Sequence, residues 1–109
     1  MKVERYSIYW VDLNPVVGSE ISKIRPAVVV SDDLMNTHLQ TVVVCPLTSK
    51  LHPAWRSRII INCAGKPSEI AVDQIRMVSK IRLKQEVDQL NQTEAEQLRK
   101  LIVEMYGMA

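Results

Sequence analysis

The strongest constraint on this chain is a series of short aliphatic runs, each ended by turn chemistry. Ala27-Val28-Val29-Val30, Val42-Val43-Val44-Cys45 and Ile59-Ile60-Ile61 are apolar without a break. They are strand-length, rich in β-branched residues, and too short for ordinary helices. Pro26–Ser31 and Thr41–Pro46 are apolar on both faces, which predicts strands covered on both sides of a sheet. Ser7–Leu13 reads as a first strand, bounded by Asn14-Pro15, and Ser57–Asn62 as a fourth. Glu69–Val72 and Ile75–Ser79 read as two more, around Asp73-Gln74, after a turn at Ala64–Pro67.

Between the strands the chain is polar and punctuated. Asn14–Lys23 is a long loop for so small a chain, and such loops usually carry function. Asp32–Asn36 reads as a helical turn with an acidic start. Thr48–Arg56 is a second polar loop, and Ile81–Leu90 has room for a short helix. The clearest helix opens at Thr93, where Thr93-x-x-Glu96 has capping-box spacing. Leu98, Leu101, Ile102 and Met105 then form a one-faced stripe, and Gly107 closes the helix. Many short strands followed by a terminal helix predict a β-rich chain, all-β or α+β, built as one small barrel over residues 1–109.

Apolar residues make up 47% of the 109, so a real core is within reach and disorder is not expected. Fourteen basic and twelve acidic side chains leave a net charge of +2, so any nucleic-acid surface must come from clustering. Met1–Tyr6 has no apolar signal core, and no run approaches a membrane span, which predicts a cytoplasmic chain without a membrane partner. Cys45 and Cys63 lie within strand patterns and are expected to be reduced and buried. No Cys/His cluster has zinc spacing, and no metal or other cofactor is expected.

Three constellations carry chemistry. Glu20, in the long loop, precedes Arg25-Pro26 at the next strand; this pair fits a phosphate site, but spacing alone favours a salt bridge that pins the loop. Thr48-Ser49-Lys50 ends a buried strand. Its hydroxyl and cation fit an anion, or a turn hydroxyl bonded to its own backbone. Asp73-Gln74-Ile75-Arg76 sits between two short strands and offers groups for base edges or phosphate, or simply a polar turn.

Taken in order, the motifs resemble a known family. Ile8-Tyr9-Trp10-Val11-Asp12-Leu13-Asn14-Pro15, Val17-Gly18-Ser19-Glu20 and Arg25-Pro26-Ala27-Val28-Val29-Val30-Ser31 are followed by Asn36, Val44-Cys45-Pro46-Leu47-Thr48-Ser49 and Asp73-Gln74-Ile75-Arg76-Met77-Val78. This text is similar to the MazF/PemK toxin endoribonucleases over nearly the whole chain. The resemblance implies an SH3-like barrel acting as a homodimer. It also implies metal-independent cleavage of single-stranded RNA, and a cognate antitoxin whose flexible acidic tail covers the RNA groove.

The family's roles, carried onto this sequence, make Arg25 the charge stabiliser, Glu20 the candidate base and Thr48 the hydroxyl at the scissile phosphate. Asn36, Ser49, Lys50, Trp55, Gln74 and Arg76 are the candidates for RNA contact. Trp55 fits a base-stacking ring or a loop anchor. Lys50, His52, Arg56 and Arg58 form the densest basic stretch, read as a phosphate track or a solvated loop. One branch of the family has histidine where Ser19 stands and arginine where Ala71 stands. Their absence shifts the catalytic set to Glu20, Arg25 and Thr48, and leaves Asp73 a structural or RNA-contacting role. The alternatives are a CcdB-like gyrase inhibitor and a non-catalytic RNA-binding module of the same fold.

Overall fold

A computed structural model describes residues 2–107. Seven strands form a curled antiparallel sheet: β1 (Ser7–Asp12), β2 (Ile24–Val29), β3 (Thr41–Thr48), β4 (Arg58–Cys63), β5 (Lys66–Ala71), β6 (Arg76–Ser79) and β7 (Leu83–Gln89). The order is β4-β5-β3-β2-β1-β7, with β6 also on β3. The sheet curls far enough for the Ala64 amide, at the β4–β5 turn, to donate to Asp88 on β7 at 2.8 Å. The β-rich barrel architecture expected from the strand pattern is therefore present.

The two valine-rich strands are central, as their apolar faces require. Val28 and Cys45 face one core with Ile8, Leu47, Ile70 and Leu98. Ala27, Val29 and Val44 face a second, with Tyr9, Val11, Leu13 and Leu83. Strand β3 holds the arrangement together. It pairs with β6 through Thr41–Val44, with β2 through Val44–Pro46, and with β5 at Leu47 and Thr48.

Helix α1 (Asp33–His38) starts on Asp32, whose carboxylate accepts from the Leu34 and Met35 amides. Helix α2 (Gln92–Tyr106) packs Leu98 fully into the first core, with Leu101, Ile102 and Met105 beside it. Its capping box is Asn91 with Glu94, not Thr93 with Glu96: each side chain accepts from the other residue's amide, at 2.8 and 3.0 Å. Gly107 closes the helix with an ordinary φ of −76°. A side chain there would meet the Val103 carbonyl, so the glycine answers to space rather than handedness.

The stretch expected to hold a short helix, Ile81–Leu90, is instead mostly strand. A 3-10 turn at Lys80–Arg82 leads into β7, which pairs with β1. The exposed edge of β1 offers backbone partners that outweigh a weak local preference.

Candidate active site

Arg25 and Thr48 come together at one end of the sheet. Ala27 pairs with Pro46 and Val28 with Cys45, and that register, continued toward the strand ends, sets Arg25 opposite Thr48 on the same face. Both line a cavity of about 600 Å³ that also contains Trp10, Ser49, Lys23 and Lys66. Arg25 Nε donates to the Ser22 carbonyl at 2.9 Å, which aims the rest of the guanidinium. Among the described residues no carboxylate pairs with it, so the salt bridge to Glu20 does not form. Thr48 Oγ1 accepts from the Lys50 amide at 3.2 Å, a turn bond that leaves its own proton to donate elsewhere. Lys23 and Lys66 were missed in the sequence because one lies in a loop and the other just past a turn. The curled sheet brings Lys66 to the cavity that Lys23, two residues before Arg25, already borders.

The long loop is clamped at its base. Leu13 N donates to the Lys23 carbonyl at 2.9 Å, and Lys23 N to Asn14 Oδ1 at 3.2 Å. Gln74 Oε1 accepts from Ile21 N at 2.9 Å, and Arg76 donates to the Leu13 carbonyl at 3.1 Å. These two RNA candidates thus brace the loop from below. Glu20 is exposed, with Oε1 accepting from Val17 N at 2.6 Å. It lines a neighbouring cavity with Ser19, Asp73, Gln74 and Arg76, not the one lined by Arg25 and Thr48. Asn36 is 1% exposed, and its amide is bonded to the Ser31 hydroxyl and carbonyl at 2.5 and 2.8 Å. It fixes the strand–helix junction and presents no edge to RNA. Ser49 and Lys50 are exposed beside Thr48.

The basic stretch divides on folding. Arg56 and Lys50 are exposed, but the Arg58 side chain is only 6% exposed and is bound at both ends. Its Nη1 donates to Glu69 at 2.8 Å and its Nε to Asp73 at 2.7 Å, so it is no part of a surface phosphate track. Glu69 is wholly buried, pairs with Thr48 across β3 and β5, and also accepts from the His52 amide and ring. Burial pushes the Glu69 carboxyl up. The His52 amide, the Arg58 guanidinium and the His52 ring outweigh it and hold the group below the usual range. Asp73 is likewise lowered, with burial overcome chiefly by bonds from Arg58 and Ser57. His52 in turn stacks on Trp55, ring centroids 3.9 Å apart and planes 19° apart.

Sequence reading did not find this network, because Glu69 and Arg58 meet only across paired strands. The available signal was a charge at the head of an aliphatic run in each strand, Arg58 before Ile59–Ile61 and Glu69 before Ile70–Val72, a placement that calls for a partner. Among the described residues, no group of three His, Cys, Asp or Glu side chains is arranged to hold a metal ion. Nor is any helix of the described residues long and apolar enough to cross a membrane.

Comparison with known proteins places this geometry. The family model described as "PemK-like, MazF-like toxin of type II toxin-antitoxin system" matches residues 4–106. The chain belongs to that family. Endoribonuclease EndoA of Bacillus subtilis is 32% identical to this PemK/MazF-like toxin over 96 residues, covering 84% of this chain and 83% of its own length. Endoribonuclease MazF of Staphylococcus saprophyticus is 33% identical over 97 residues, covering 82% and 78%. In fold, MazF from Deinococcus radiodurans matches with a TM-score of 0.87 at 19% identity, over 99% of each chain. A mycobacterial endoribonuclease solved with its cognate antitoxin matches at 0.80 and 16%, over 98% of this chain and 97% of its own. In this PemK/MazF-like toxin, the positions of the missing histidine and arginine, Ser19 and Ala71, fall in the exposed loop and the buried end of β5.

Proposed function

We propose that this chain is the toxin of a type II toxin–antitoxin pair and cuts single-stranded RNA, using the RNA's own 2′-hydroxyl as nucleophile. One observation carries the reading: Arg25, with no carboxylate partner among the described residues, shares a cavity with the Thr48 hydroxyl. The 2′-oxygen attacks the adjacent phosphorus and the bond to the 5′-oxygen breaks. A 2′,3′-cyclic phosphate and a 5′-hydroxyl result. One proton leaves the nucleophile and one reaches the departing oxygen. Arg25, a permanent cation with a planar fork, stabilises the charge that builds on the phosphoryl oxygens. Thr48 donates to one of those oxygens, with Lys23 and Lys66 at the flanking phosphates. None of these roles requires a metal ion.

Glu20 is the candidate base. To reach the phosphate it must leave the Val17 amide and its loop tip must swing toward Arg25, while Gln74 keeps Ile21 anchored. Ser49, Lys50 and Trp55 contact the RNA beside the cut, while Gln74 and Arg76 act by holding the loop. Solved relatives in complex with an antitoxin support a cognate antitoxin for this chain; that it works as a homodimer, and that the antitoxin's acidic tail fills the same basic cavity, is what the family resemblance implies.

The test is to incubate the purified chain with a long single-stranded RNA in EDTA and map the ends. The expected outcome is 5′-hydroxyl ends, abolished by Arg25→Ala and lowered about 10²–10³-fold by Thr48→Ala. Intact RNA, or cuts that survive Arg25→Ala, would sink the proposal.

A further inference from the structure

Trp55 is 49% exposed, yet its ring is not loose. His52 stacks on it, and the Arg58 guanidinium carbon lies 4.7 Å from the ring centroid. Arg58 Nη1 is 3.5 Å from His52 Nδ1. Two groups so close to each other and to the ring must share one side of the indole, because opposite faces would separate them far more widely. The other face of Trp55 is therefore left open by both. A flat aromatic face, backed by an imidazole and a cation on a ring that is half exposed, has the form of a stacking surface for an unpaired base.

What holds that surface is Glu69. Its carboxylate binds the His52 amide and ring and also Arg58, the two groups that back the indole. Asp73 fixes the far side of the guanidinium. Glu69 is also the cross-strand partner of Thr48. Glu69 thus pairs through its backbone with the strand end that carries the Thr48 hydroxyl, and through its carboxylate holds the loop that carries the ring.

We propose that Glu69 is a positioning residue for RNA: it fixes the Thr48–Arg58 loop so that the open face of Trp55 stacks one base near the cut. This rests on the ribonuclease reading. Its recognition is sequence-tolerant, because every base has a π-face.

The experiment uses a short RNA carrying the mapped cut, with an abasic site placed at each flanking nucleotide in turn. At one position the wild-type chain should lose roughly 5- to 140-fold in kcat/KM, the worth of one stacked base, mostly through KM. Trp55→Ala should cut the intact and abasic RNAs at that position alike, and Trp55→Phe should restore most of the difference. Glu69→Gln, which never touches RNA, should collapse the same ratio. Simple destabilisation would instead lower both rates together. Should Glu69→Gln not fold, Glu69→Asp, which keeps the charge but withdraws it from His52 and Arg58, is read the same way.

A wild-type chain indifferent to every abasic position would overturn the stacking surface. A Glu69→Gln ratio equal to wild type would overturn the positioning role. Stacking is also read without cleavage, as quenching of indole fluorescence by a fully 2′-O-methylated RNA, with the Trp55 share taken by difference from Trp55→Phe. A chain that shows this quenching but cuts no RNA would refute the catalytic reading and leave the surface standing.

Discussion

Charge burial at Glu69 ties this protein's stability to pH. Its carboxyl and that of Asp73 are held below their ordinary values of 4.5 and 3.8, so folding favours their ionised forms. The stability they contribute is complete above those values. It is lost as pH falls below them, because the unfolded chain then takes up protons that the folded chain resists. Thermal melts from pH 6 to pH 3 should show a steep fall below about pH 4.5, and Arg58→Met should flatten it while costing about 3–5 kcal/mol at pH 7. Cys45 behaves oppositely. Burial, aided by the Asp73 charge, pushes its thiol up to about 12. Alkylation at pH 8 should leave Cys45 unmodified in the native protein and label it at once in denaturant, as mass spectrometry would show.

Helix α2 offers a test of how local signals compete. Two capping boxes overlap in the sequence, Asn91 with Glu94 and Thr93 with Glu96, and the structure uses the earlier one. Asn91→Ala should cost about 1 kcal/mol in denaturant unfolding, while Thr93→Ala should stay within about 0.5 kcal/mol. Periodicity marked the helix correctly through Leu98, Leu101 and Ile102, but could not choose between the caps. The central strands were legible because valine runs can be apolar on both faces only inside a covered sheet. Strand β7 was not, because Leu83-Lys84-Gln85-Glu86 has little strand preference of its own and is decided by the free edge of β1. In the same way Arg25 and Thr48 could be named from the chain, but not that they share a cavity while Glu20 lines another. Nor could the chain show that Arg58 is buried against a carboxylate eleven residues away. Those facts belong to strand pairing, which a linear reading does not contain.

For the molecule as a whole, two cores lie on opposite faces of the same central strands, and some apolar surface remains outside both. Met77 and Ile81 are 65% and 84% exposed, close together in the chain. Such exposure suits the expected homodimer better than a monomer. Sedimentation equilibrium should give twice the chain mass, and Met77→Asp should shift the distribution toward monomer. The Arg25–Thr48 cavity has a further consequence for a protein that harms the cell that makes it. Its walls run from Trp10 on the first strand to Val87 on the last. No segment emerging early from the ribosome carries a finished site, and a chain cut short before β7 lacks part of the wall. The site is therefore complete only once nearly all of the polypeptide has been made.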